Sequence, residues 1–97
     1  MNASELSADI QGDYGKVIFS YKGDILTSPA EVKGFSKLNE DHKKLFAEFL
    51  NNFYAAWEFP EKHLPKKIKY VADRIPYLRV DFKKGYWLHI ISPTRWF

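Results

Sequence analysis

The chain has no cysteine, which removes disulfides, thiolate metal sites and cysteine nucleophiles together. No apolar run approaches the roughly 20 residues that span a bilayer, so no membrane association is expected. The opening residues, MNASELSADI, show no basic segment followed by an apolar one, so no signal peptide is read and a cytoplasmic location is expected. Low-complexity tracts are missing as well. Three glycine signatures are not found: G-x-S-x-G, G-x-x-x-x-G-K and G-x-G-x-x-G. Serine-hydrolase, P-loop and dinucleotide chemistry therefore have no support. The three histidines are His42, His63 and His89. None has the spacing of a zinc pair on a helix, and Glu61 with His63 offers only two ligands. No metal and no cofactor is expected.

What is present is apolar and aromatic. The chain is 45% hydrophobic and 28% charged, and 17 of its 97 residues are Phe, Tyr or Trp. That suits one domain with one core built from few large side chains. The net charge of +3 is unevenly spread. Residues 1–60 hold six lysines against nine acids, whereas residues 61–97 hold nine Lys and Arg against three acids. A basic second half points to an anionic partner, although charges of this kind also serve simply to solubilise a fold.

The stretch NEDHKKLFAEFLNNFYAAW, residues 39–57, dominates the pattern. Leu45, Phe46, Phe49, Leu50, Phe53, Tyr54 and Trp57 recur at three- and four-residue spacing and predict a helix over 40–57 with one apolar face. Asn39 is suited to cap it, and Glu40 and Asp41 sit where the helix dipole favours negative charge. Phe59 precedes Pro60 and is driven from helical geometry, which sets the end.

The other segments read as short elements. Residues 1–15 are expected as a loose arm, with at most one helical turn at Ser4-Glu5-Leu6. KVIFSY and DILTS flank Lys22-Gly23, which predicts a hairpin with strands near 16–21 and 24–28. Its register stays open, because Ile18 and Leu26 compete with Val17, Phe19 and Ile25 for the core face. Ser28-Pro29-Ala30-Glu31 has the pattern of a capping box with proline at the first position, and Gly34 can close that turn. For residues 66–74 a short helix is favoured, with Leu64, Ile68, Val71, Ala72 and Ile75 on one face. A strand alternating Ile68 and Tyr70 with Lys67 and Lys69 is the alternative. YLRVDF, Lys83-Lys84-Gly85 and YWLHII form a hairpin closed by three residues. Its register opposes Val80 to Leu88 and Leu78 to Ile90 on an apolar face. It opposes Asp81 to Trp87, Arg79 to His89 and Tyr77 to Ile91 on a mixed one. The whole is an α+β domain over 16–97: a small antiparallel sheet built from two β-hairpins on one long helix. The core is expected to hold Phe46, Phe49, Leu50, Phe53, Leu78, Val80, Leu88 and Ile90.

The mixed hairpin face is the candidate site. Tyr77, Arg79, Trp87 and His89 project from one side, with Lys83 and Lys84 at the tip and Arg95 and Trp96 just past the last strand. Cations meet phosphates and flat rings stack on bases. Lys62, Lys66, Lys67, Lys69 and Arg74 form a second basic set. The expected function is a non-enzymatic binding module for an anionic macromolecule, either nucleic acid or an acidic protein surface. Two alternatives remain. One is an inhibitor, adaptor or immunity-like protein that binds through exposed aromatics, with the Arg95-Trp96-Phe97 tail as anchor. The other is a small metal-independent ribonuclease using His89, Asp81, Arg79 and Tyr77. Two copies pairing through a free sheet edge is a further expectation.

Overall fold

The computed structural model describes residues 6–12 and 14–97. Among these residues seven strands and one long helix run in the order β1 (Leu6–Gln11), β2 (Lys16–Tyr21), β3 (Asp24–Leu26), α1 (Glu40–Ala55), β4 (Pro65–Val71), β5 (Tyr77–Phe82), β6 (Trp87–Ser92) and β7 (Arg95–Trp96). Among the described residues the 3-10 turns Pro29–Glu31, Phe35–Lys37 and Pro60–Lys62 occupy connections between these elements. The strands form two antiparallel sheets, β1-β2-β3 and β4-β5-β6-β7, so the fold is α+β as expected. The two expected hairpins are both there, one in each sheet.

In α1 the sequence pattern and the burial agree. Phe46, Ala47, Phe49, Leu50, Phe53 and Tyr54 are buried, and Asn39 Oδ1 accepts the His42 N–H at 2.8 Å. The helix ends at Ala55, two residues before the expected limit, and Trp57 lies beyond it, edge-on to Phe53. One side of α1 meets the first sheet, where Tyr54 stands edge-on to Phe19 with ring centroids 5.2 Å apart. Its other side meets the second sheet, where Phe53 lies 5.0 Å from Phe82 and Phe49 lies 5.2 Å from Trp96. The long apolar face is thus shared between two sheets. The Cα radius of gyration, 12.5 Å, matches the roughly 12.5 Å of a single compact unit of this length.

The open register of the first hairpin resolves with Phe19 opposite Leu26 and Tyr21 opposite Asp24. Lys22 and Gly23 both have positive φ, 51° and 86°, the mark of the tight turn that matches strand twist. Val17, Phe19, Tyr21 and Leu26 are buried, while Ile25 is 74% exposed.

Two expectations are corrected here. Residues 6–11 do not belong to a loose arm. They form β1, which pairs along β2 from Leu6–Tyr21 to Gln11–Lys16. Gly12, Tyr14 and Gly15 form the turn from β1 to β2, with Tyr14 packed against the core, whereas residues 1–5 and 13 of that expectation, and most of the turn at Ser4-Glu5-Leu6, lie outside the described residues. The favoured helix at 66–74 is also replaced, because Pro65–Val71 is strand β4. Ile68 faces Val80 on the core side, while Lys67 and Lys69 oppose Asp81 and Arg79 on the other face. Ala72 and Ile75, which a helix would have buried, are exposed. The edge of β5 offers partners for a whole row of backbone groups, and that tertiary gain outweighs a weak local periodicity.

The segment before the helix leans on β4. Ile68 N–H donates to the Lys33 carbonyl at 2.9 Å, and Lys33 and Lys67 form a parallel bridge. Gly34 makes this approach possible. Its φ is +94°, and a Cβ there would collide with the Ile68 carbonyl oxygen. No helix among the described residues is long and apolar enough to cross a membrane.

Candidate functional site

The last hairpin has the register read from its sequence, with Asp81 opposite Trp87, Arg79 opposite His89, Val80 opposite Leu88 and Leu78 opposite Ile90. Leu78, Val80 and Ile90 are buried against α1, and Leu88 is half-buried at the rim of the core. The alternate residues stand on the outer face of the second sheet. The Arg79 guanidinium carbon lies 4.0 Å from the centre of the Trp87 ring, close enough for cation–π attraction. Arg79 also donates from Nη2 to Asp81 Oδ1 at 3.1 Å. Arg79 Nε and Asp81 Oδ2 are covered but bond no protein atom, so a single hydrogen bond holds this ion pair.

His89 sits among rings. Its centroid is 4.2 Å from Tyr77, 4.7 Å from Trp87 and 5.0 Å from Phe97. The C-terminal residue is fixed there by paired backbone bonds, His89 N–H to the Phe97 carbonyl at 2.8 Å and Phe97 N–H to the His89 carbonyl at 3.1 Å. Phe97 remains 65% exposed and Trp87 40% exposed, which leaves ring surface for stacking. Beside them a shallow groove of about 330 Å³ is bordered by the rings of Tyr77, His89 and Phe97, by Ile75 and Ile91, and by one charge of each sign, Arg74 and Asp73. On the other flank β4 contributes exposed Lys67 and Lys69, in register with Asp81 and Arg79.

The expected site residues do not all come together. Tyr77, Arg79, Trp87 and His89 come together, and Lys67, Lys69 and Arg74 of the second basic set join them. Lys83 and Lys84 are exposed at the tip, where their charges act on Glu31 and His63. Lys62 lies over the Phe59 ring, Lys66 is exposed beside the irregular start of β4, and Arg95 is exposed at the β6–β7 turn. Trp96 is a correction. It turns inward and stands edge-on to Phe49, with Phe53 at 6.0 Å, so it serves packing and is not a free anchor. The four groups considered for RNA cleavage are neighbours, but Asp81 is tied to Arg79 while His89 contacts rings.

Two features were not read from the sequence. Phe97 reaches the site because Pro93-Thr94 turns the chain back, with Ser92 opposite Arg95. A proline-containing pair between two strand-like stretches was the available signal. The second feature is a cluster at the opposite end. The Trp57 and His63 rings stack at 3.6 Å, and His63 Nδ1 lies 2.9 Å from the Tyr86 hydroxyl. Burial holds the His63 pKa below its ordinary 6.5, and the nearby Lys84 charge adds to the effect. Burial likewise raises the Tyr86 phenol. No sequence spacing links positions 57, 63 and 86. Among the described residues no group of three or more potential ligands gathers to hold a metal.

No family model, no curated protein and no solved structure matches the chain.

Proposed function

We propose that this protein is a non-catalytic binding module that engages single-stranded nucleic acid across the outer face of its second sheet. The supporting observation is the continuous set of rings formed by Tyr77, Trp87, His89 and Phe97, flanked by Lys67, Lys69 and Arg74. Rings on a rigid sheet accept unstacked bases, and the flanking cations suit a phosphate backbone. Paired bases keep their faces buried in their own stack, so duplex should bind more weakly than single strands. The basic balance of residues 61–97 favours the same class of partner.

The test is a titration of the isotope-labelled protein with mixed-sequence single-stranded and duplex oligonucleotides at low and moderate salt. Expected are shifts at Tyr77, Arg79, Trp87 and His89 that weaken steeply as salt rises. Trp87→Ala should then weaken binding by about 1–3 kcal/mol, the contribution of one stacked base. Silent spectra at low salt would reject nucleic acid as the partner. The search would then turn to a protein surface recognised by the same exposed rings.

A further inference from the structure

Among the described residues the two sheets have two long edges, and the two differ. β4, at one end of the second sheet, carries Pro65, an irregular register between Pro65 and Lys67, three lysines and a backbone bridge to Lys33. These are devices that keep an edge from pairing with another chain. β1, at one end of the first sheet, has none of them. Its six residues pair with β2 without a register shift, include no proline and no lysine, and present Asp9 as their single charge. The edge of β1 away from β2 has no strand partner among the described residues, so alternate N–H and C=O groups point outward from it. The side chains of β1 are equally unfinished. Leu6, Ala8 and Ile10 lie opposite Tyr21, Phe19 and Val17, which places them on the core-facing side of the sheet. Those β2 partners are buried, yet Ala8 is exposed and Ile10 is 60% exposed. Ala8 and Ile10 line a cleft of about 510 Å³ together with Ala47 and Asn51 of α1. On the other side of the sheet the Ser7 and Ser20 hydroxyls bond at 2.7 Å, and the Asp9 carboxylate makes no hydrogen bond or ion pair among the described residues.

We infer that β1 is the docking edge for a second copy of this chain, which pairs with it antiparallel about a twofold axis at Ala8. That register sets Leu6 of each copy opposite Ile10 of the other, and Ala8 opposite Ala8. The apolar row thus continues across the axis and covers part of each exposed Ile10. On the other face Ser7 of each copy meets Asp9 of the other, which gives the carboxylate a hydroxyl donor. The neighbouring registers are poorer. An axis at Asp9 opposes two carboxylates, and an axis at Ser7 pairs Leu6 with Ala8 and leaves Ile10 outside the apolar match. A one-residue slip brings the inner face of one sheet level with the outer face of the other. The product is a continuous six-stranded sheet with the short β3 strands, three residues each, at its ends. A six-residue edge is only about 20 Å long, so the dimer is a small-interface, concentration-dependent one. It stands apart from the outer-face reading, because β1 belongs to the other sheet.

The experiment follows the mass of the full chain by sedimentation equilibrium from micromolar to millimolar concentration. Expected is a rise toward twice the mass of one chain. Ile10→Lys puts an inward-pointing charge on the edge and should weaken association by about tenfold or more. Ile10 is exposed, so this variant should keep the fold, read from unperturbed core amide resonances. The control is Ile25→Lys, a 74% exposed apolar position on β3, which should associate as the wild type does. The register has its own readout, because the chain has no cysteine. Directly opposite residues of antiparallel strands stand about 4.5–5.5 Å apart at Cα, which a disulfide can span. Ala8→Cys should therefore cross-link to a dimer rapidly with copper–phenanthroline as oxidant. Gln11→Cys, on the same strand but far from its own copy across the axis, should not. Three results would overturn the inference: the mass of one chain at millimolar concentration, equal weakening by Ile25→Lys and Ile10→Lys, or Ala8→Cys cross-linking no faster than Gln11→Cys.

Discussion

His63 carries three influences that no local spacing announces. The Trp57 ring covers one side, the Tyr86 hydroxyl meets Nδ1, and the Lys84 charge opposes protonation. The folded-state pKa lies below the unfolded one, so the unfolded chain takes up its proton first as the solution is acidified. The stabilising contribution of the neutral ring is therefore fully present above pH 6.5 and is lost as pH falls through the lower folded-state value. A nuclear magnetic resonance titration should find His63 below 6.5, and Lys84→Gln should move it upward. A His63 value at or above 6.5 in the wild type would contradict this environment. Aromatic identity was readable at these positions, but partnership was not. Trp57 looked like the last turn of a helix, and Trp96 looked like a free end. In both cases the ring follows the nearest uncovered apolar surface, which chain position does not reveal.

Among the elements, the amphipathic helix and the last hairpin could be read directly because each is specified by contacts within its own sequence. Helical spacing and an Asn39 cap define the first. An apolar–mixed alternation around Gly85 defines the second. β1 and β4 could not be read in the same way, since each exists by adding to the edge of a neighbour. Leu6–Gln11 has five of its six residues exposed, so it offers little hydrophobic signal. β4 also depends on the segment before the helix, and Gly34 is the contact point. Gly34→Ala would force both a strained positive φ and a clash with the Ile68 carbonyl. We expect a loss of at least about 1 kcal/mol by urea denaturation, with amide protection falling first at Ile68. Protection and stability equal to wild type would mean that the segment does not seat on β4.

In the whole molecule, the two sheets share one core through α1. Phe53 is its centre, with ring contacts to Phe49, Tyr54, Trp57, His63, Phe82 and Trp96. Helix, connection, second sheet and tail thus lose a common partner if it is truncated. Phe53→Ala should cost about 3–5 kcal/mol, a large share of a small domain's stability. Far-ultraviolet circular dichroism and tryptophan fluorescence should shift together along one cooperative transition. Two separated midpoints would show that the sheets unfold as independent units.

By itself the sequence determined the α+β class, the helix and its cap, the turn of the first hairpin and the register of the last one. All of these rest on periodicity or on residues near one another in the chain. It also placed Tyr77, Arg79, Trp87 and His89 on one face, because alternation along paired strands is a local property. Only the tertiary structure decided that the hairpins lie in different sheets and that Lys67 and Lys69 are strand residues beside that face. It alone turned Trp96 inward while Phe97 stayed out, and brought Lys33 against Lys67. Each of those outcomes is a competition between distant surfaces for burial or for backbone partners, which is settled only when the chain closes on itself.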